Sequence, residues 1–248
     1  MNDPRVDPVS PEASALTGRV MMNQSWRDLT FLHWAIDPAM VAHRMPPGVR
    51  PDTLDGVTYV GLIPFRMVGA GIASGPGVPW LGSFLETNVR LYSVDETGRR
   101  GIVFLSLDTD RAAVVVGARG AFGLPYRWAR MRYGVSGDVH SYDARLRRPG
   151  TRPKSHVVVR AGARRQSTEL DEFLSARWGL HVRQWGRTLY VPNHHEVWPM
   201  HDAEVLALDD ELVASVGLPG LSTRPPDHVA FSPGVRTNFA FPRSANVR

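Results

Sequence analysis

The segment Phe84-Leu85-Glu86-Thr87-Asn88-Val89-Arg90 brings residue types suited to acid–base chemistry into strand spacing. Side chains on a strand alternate between faces. Phe84, Glu86, Asn88 and Arg90 therefore share one face, and Leu85, Thr87, Val89 and Leu91 share the other. A carboxyl buried on such a face has a raised pKa and can act as general acid or base. The same spacing also allows a plain Glu86–Arg90 ion pair on a solvated face, and the sequence leaves both readings open.

Further on, Gly123-Leu124-Pro125 precedes Tyr126 and Arg127. If a strand begins there, only one of the pair points inward. Tyr126 would offer a hydroxyl to an enol or carbonyl oxygen, and Arg127 would offer a carboxylate clamp. A third reading leaves both as structural side chains. The only lysine, Lys154, lies in R-R-P-G-T-R-P-K-S-H, whose proline and glycine predict a solvated loop. His194, His195, Glu196 and His201 are close in sequence. Adjacent histidines on a strand point opposite ways, however, and no H-E-x-x-H occurs, so no metal site is expected. His195 reads as a pocket base or a buried core histidine. Ser232 in F-S-P-G-V lacks the G-x-S-x-G of a nucleophile elbow. Gly69-Ala70-Gly71 lacks the third glycine of a dinucleotide fingerprint, and no cofactor is expected.

The elements that position these residues follow from short-range pattern. Strands are expected over 26–36, 57–68 (after the Asp55-Gly56 turn), 84–94, 102–107, 126–133, 139–146, 156–159 and 189–206. The strand at 84–94 pairs with 102–107 as a hairpin across D-E-T-G-R-R. Helices are expected after Asp37-Pro38, over 110–121, from Ser167-Thr168-Glu169 through Trp178 to a stop at Gly179, and over 208–216. Many short strands with a few helices predict one β-rich α+β domain over 17–248. Residues 1–16, rich in Pro, Asp and Ser, read as a disordered leader. The glycine-rich loop from Gly69 to Gly82 carries Ile72, Val78, Trp80 and Leu81. It is expected either to cover a pocket or to be a plain connection.

Composition narrows the function classes. With 248 residues and 43% hydrophobic content the chain can bury a sizeable core. No apolar run is long enough to span a bilayer, and the first residues lack a signal-peptide core. The absence of cysteine excludes disulfides, thiolate metal sites and thiol catalysis, and fits a cytoplasmic location. The net charge of +5 raises nucleic-acid binding, but the arginines are spread along the chain without an aromatic RNA-binding signature. The expected partner is a small-molecule carboxylate or keto/enol substrate. Neither nucleic acid nor membrane is expected, and a homo-oligomer stays open.

Several motifs in order resemble the acetoacetate decarboxylase-like superfamily, in particular its uncharacterised YqjF-like branch. They are W-R-D-L-T-F-L-H-W, D-G-V-T-Y-V-G-L-I-P-F, F-L-E-T-N-V-R-L-Y, Gly123-Leu124-Pro125, H-E-V-W-P-M and F-S-P-G-V, spanning about 22–239. The resemblance implies a closed, cone-shaped antiparallel β-barrel with a few peripheral helices and a central cavity. In the decarboxylases two adjacent lysines follow the Gly-x-Pro; the first is the Schiff-base nucleophile and the second lowers its pKa. Tyr126 and Arg127 stand there instead, and neither forms an iminium. The resemblance implies Glu86 as the catalytic acid or base, with Tyr126 and Arg127 beside it. Phe84, Asn88 and Arg90 are candidate substrate contacts, together with Arg66 and Met67. Trp80, His195 and Trp198 complete that set. Two functions follow: non-covalent dehydration, cyclisation, tautomerisation or hydrolysis, or a non-catalytic ligand-binding cup.

Overall fold

Runs of β-branched and aromatic residues favour extended backbone, which relieves crowding at Cβ and packs well on a pleated surface. The computed structural model describes residues 6–13, 15, 16 and 18–245. Its strands in chain order are β1 (Val20–Ile36), β2 (Val49–Pro51), β3 (Thr58–Ile72), β4 (Phe84–Asp95), β5 (Arg100–Thr109), β6 (Tyr126–Ser136) and β7 (Val139–Leu146). They continue as β8 (Lys154–Arg164), β9 (Gly179–Gln184), β10 (Arg187–His195), β11 (His201–Asp210), β12 (His228–Ala240) and β13 (Arg243–Ser244). The helices are α1 (Ala112–Phe122), α2 (Glu169–Ser175) and α3 (Leu212–Ser215). The strands form one sheet in the order β13-β10-β9-β5-β6-β7-β8-β11-β12-β1-β3-β4-β2, with further pairings of β10 to β12 and β5 to β4. The architecture is mostly β-sheet with few helices, as the motifs imply.

The sheet is not wholly antiparallel. β5 runs parallel to β6 and to β9. Residues 110–125, with α1, form the crossover that a parallel β5–β6 pair requires. The predicted β4–β5 hairpin is present in register, Glu86 opposite Thr109 and Asn88 opposite Leu107. The helix expected after Asp37 is a pair of 3-10 turns, with Asp37 capping the Ala39 N–H and Pro38 in the first turn. α2 has the Thr168 capping box but ends at Ser175 rather than Trp178. Gly179 starts β9 instead of stopping a helix; a Cβ there would lie 2.3 Å from the Tyr190 ring. The helix expected over 208–216 shrinks to α3, because Leu208 pairs with Val157 as the end of β11. The β9–β10 hairpin has no apolar alternation strong enough to announce it; Trp185 and Gly186 form its turn at φ 47° and 77°.

Within the leader expected over 1–16, Asp7 and Ser10 make contacts with the fold. The Asp7 N–H donates to Gly98 O at 2.9 Å, Arg100 Nε to Asp7 O at 2.7 Å, and Trp178 Nε1 to Ser10 O at 3.1 Å. Residues 1–5 and 14 of that expectation lie outside the described residues.

Strand alternation divides β4 between two environments. Val89 and Leu91 point into the main core with Leu32 and Trp34 of β1 and Val60 and Leu62 of β3. Residues of β7, β8 and α3 cover that core from the other side. Each such fully buried aliphatic side chain contributes about 1.5–3 kcal/mol. The even-numbered residues of β4 face the opposite way.

Candidate functional site

Glu86, Asn88 and Arg90 line a cavity of about 110 Å³. Its walls are largely apolar, with Met67, Phe65, Phe104, Leu107 and Trp198 among them. Phe122, at the end of α1, and Leu124 bring the crossover to the same space. Tyr126 opens β6 beside Leu107 and points inward. Its hydroxyl donates to Glu86 Oε2 at 2.9 Å, and the Asn88 side chain also hydrogen-bonds the carboxyl. Glu86 is only 2% exposed, which removes the solvated ion-pair reading. Burial raises its pKa to about 8 despite the Tyr126 and Asn88 hydrogen bonds, with nearby Asp108 adding to the rise. The carboxyl is therefore mostly protonated at neutral pH. Burial and the adjacent Glu86 push the Tyr126 phenol well above its ordinary value, so it remains a donor.

Arg127 does not reach the cavity. Alternation turns it to the other face, where it pairs with buried Asp108 at 2.5 and 2.7 Å and donates to Ser106 and Ser215. Its expected catalytic place is corrected accordingly. Of the expected substrate contacts, Asn88, Arg90, Met67 and Trp198 line the cavity. Phe84 lies on the predicted face but packs in the neighbouring apolar cluster. Arg66 pairs with Asp28 at 2.9 Å and lies over the Tyr133 ring, with its side chain 41% exposed. His195 sits behind the wall against Trp26 and Trp198, its Nδ1 donating to Glu196 O at 2.7 Å. Burial lowers its pKa to about 4, so it is a neutral core histidine.

Trp80 is 74% exposed, beneath the Arg111 guanidinium, and no residue of 69–82 lines the cavity. The loop folds back on itself through the Gly71–Gly77 bridge. A Cβ on Gly71 would lie 2.5 Å from Pro76 O, and one on Gly82 2.5 Å from Ala70 O. Close backbone packing, rather than hinge freedom, accounts for these glycines.

The sequence reading missed Gln24 and Asn193, both buried and lining the cavity. Asn193 shares the His195 parity on β10, and that was the only signal. Asn88 Oδ1 and Asn193 Oδ1 have no hydrogen-bond partner among the described residues, so the cavity holds acceptors for donors on a ligand. Lys154 lies at the start of β8, its Nζ 2.6 Å from Asp209, and does not line the cavity. Among the described residues no group of three or more His, Cys, Asp or Glu could hold a metal. Among the described residues no helix is long and apolar enough to cross a membrane.

The mostly β architecture matches the fold of acetoacetate decarboxylase-like proteins. The enduracididine biosynthesis enzyme MppR, solved with HEPES buffer bound, matches at a TM-score of 0.62 and 15% identity, over 95% of this chain and 92% of that one. MppR complexed with pyruvate matches at 0.55 and 15%, over 95% and 93%. The acetoacetate decarboxylase of Legionella pneumophila subsp. pneumophila str. Philadelphia 1 matches at 0.59 and 12%, over 94% and 97%. The DUF2071 model, an uncharacterized conserved protein family, matches residues 23–236, and the chain belongs to that family. The uncharacterized protein YqjF of Bacillus subtilis (strain 168) is 31% identical over 187 residues, 74% of this chain and 76% of YqjF.

Proposed function

We propose that the β4–β5 and β10–β12 pairings close the sheet as a cone-shaped barrel around this cavity, and that the protein is a small-molecule enzyme of lyase or isomerase (cyclase) type. The substrate is a keto, enol or carboxylic compound with an apolar body, and Glu86 moves the proton. One observation carries the reading: a buried carboxyl, protonated near neutral pH, is held by Tyr126 inside an apolar cavity. A carboxyl tuned this close to working pH is the usual signature of general acid–base catalysis. The pyruvate held by MppR, of the same fold, supports a keto compound as substrate.

In this mechanism Tyr126 and Asn88 orient the Glu86 carboxyl. One carboxyl oxygen gives its proton to a carbonyl, enol or hydroxyl oxygen. Where a keto substrate enolises, the other carboxyl oxygen takes the proton from the adjacent carbon, and the reverse exchange returns a solvent-derived one. The apolar walls exclude water from the charge that develops. Protonation of oxygen is a common first event in dehydration, cyclisation and tautomerisation. Schiff-base chemistry is left out, because Tyr126 and Arg127 occupy the lysine positions and Lys154 lies outside the cavity.

Hydrogen–deuterium exchange at C3 of 4-methyl-2-oxopentanoate, followed by proton NMR in D2O, tests this. The protein should accelerate exchange, and Glu86→Gln should slow it about 100-fold or more. The rate should fall as pH rises through about 8. Tyr126→Phe should move that fall to higher pH, because the Tyr126 hydrogen bond holds the Glu86 pKa down. A Glu86→Gln variant exchanging at the wild-type rate removes the reading.

A further inference from the structure

The cavity has a second polar end. Glu86 and Arg90 are four residues apart on β4, about 13 Å along the strand. Arg90 lines the cavity and forms no ion pair among the described residues. Its Nε donates to the Tyr92 hydroxyl at 3.1 Å and its Nη2 to Leu174 O at 3.0 Å, which leaves Nη1 without a protein partner among them. The guanidinium lies over the faces of Phe31 and Tyr92. A partly desolvated guanidinium without a counter-charge is costly.

Behind Arg90 runs a buried row of polar side chains. The Tyr92 hydroxyl meets His33 Nε2 at 2.6 Å, His33 Nδ1 meets His228 Nδ1 at 3.0 Å, and His228 Nε2 meets Asp171 Oδ1 at 2.8 Å. Asp171 is in turn fixed by Arg165 and by the Thr168 cap of α2. Donation in one direction satisfies every contact: Arg90 to Tyr92, Tyr92 to His33, His33 to His228, and His228 to Asp171. The row crosses adjacent strands in register, with His228 opposite His33, His33 opposite Gly61 and Gly61 opposite Arg90. Gly61 keeps it open: a Cβ there would lie 3.0 Å from His33 Nε2 and 3.3 Å from Arg90 Cγ.

We propose that Arg90 binds the carboxylate of a small monocarboxylic ligand, and that Tyr92, His33, His228 and Asp171 are positioning residues that aim its guanidinium. That a ligand long enough to span both ends presents its reactive oxygen to Glu86 rests on the function proposed above. A single guanidinium in an apolar cavity suits one monoanionic carboxylate; a phosphate dianion would need more donors.

The test uses the full chain at pH 6.5, with 4-methyl-2-oxopentanoate and phenylpyruvate against their methyl esters, by calorimetry and thermal shift. The acids should bind at least tenfold tighter than the esters. Arg90→Met should abolish that preference, Arg90→Lys should keep only part of it, and Tyr92→Phe should weaken acid binding severalfold without changing ester binding. Glu86→Gln should keep the preference. Equal binding of acids and esters, no binding of the acids, or a preference surviving in Arg90→Met overturns the proposal. An unchanged preference in Tyr92→Phe overturns the positioning role. Ligand preference through Arg90 with normal exchange in Glu86→Gln would sink the proposed function alone. Loss of exchange in Glu86→Gln with equal acid and ester binding would sink the carboxylate assignment alone.

Discussion

Glu86 accepts two side-chain hydrogen bonds that favour its ionised form, yet burial outweighs both and its pKa rises to about 8. Desolvating a carboxylate costs more than two neutral donors return. The consequence for stability has a definite sign. The folded pKa exceeds the unfolded value of 4.5, so the Glu86 contribution is fully present below 4.5 and is lost as pH rises through about 8. His195 works the other way: its folded pKa of about 4 lies below the ordinary 6.5, so its contribution grows with pH and is complete above 6.5. The pKa values of His33 and His140 are lowered as that of His195 is, so above 6.5 these histidine contributions level off while that of Glu86 falls, and the difference between the native chain and Glu86→Gln isolates Glu86. Urea denaturation should show the protein losing about 2 kcal/mol between about pH 6.5 and 8, at roughly 1.4 kcal/mol per pH unit, and Glu86→Gln losing little. A Glu86→Gln variant with the same slope as the native chain would mean that the carboxyl is already ionised.

At the scale of elements, β1, β3, β4 and β12 lie side by side, and their register creates features that no one strand contains. His33, Gly61 and Arg90 are spread over nearly sixty residues yet form one row. Gly61 sits in Val60-Gly61-Leu62, where a glycine weakens a strand and so needs a reason; the reason is the space occupied by His33 and the Arg90 stem. Gly61→Ala should keep the fold but lower its stability by about 1–3 kcal/mol in denaturant titration. A neutral or stabilising effect would mean that the two side chains yield freely. The strand parity of 84–90 was legible because period-two alternation is a local property. The ending of α2 and the length of α3 were not, because Gly179 answers to the Tyr190 ring and Leu208 to its partner across β8.

For the whole molecule, an acetoacetate decarboxylase-like architecture has no lysine among the described residues that line its cavity. The only lysine is half exposed at the start of β8 and paired with Asp209. Borohydride treatment with acetoacetate, read by intact mass and peptide mapping, should leave every side chain unmodified. A reduced adduct on Lys154 would reverse this conclusion and return covalent catalysis to the fold.

The sequence by itself determined the kind of fold, the shared strand face of Glu86, Asn88 and Arg90 and the absence of the lysine pair, because residue identity and strand alternation are local and the motifs follow one another along the chain. Only the tertiary structure decided that Tyr126 faces the cavity while Arg127 turns to Asp108, since alternation has no absolute direction until a strand is packed. It also decided that Trp80 and Arg66 stand apart from the cavity. It brought in Gln24 and Asn193 from distant strands, and assembled His33, His228 and Asp171 behind Arg90. Burial and long-range register made those choices, and both arise only when strands far apart in the chain are laid beside one another.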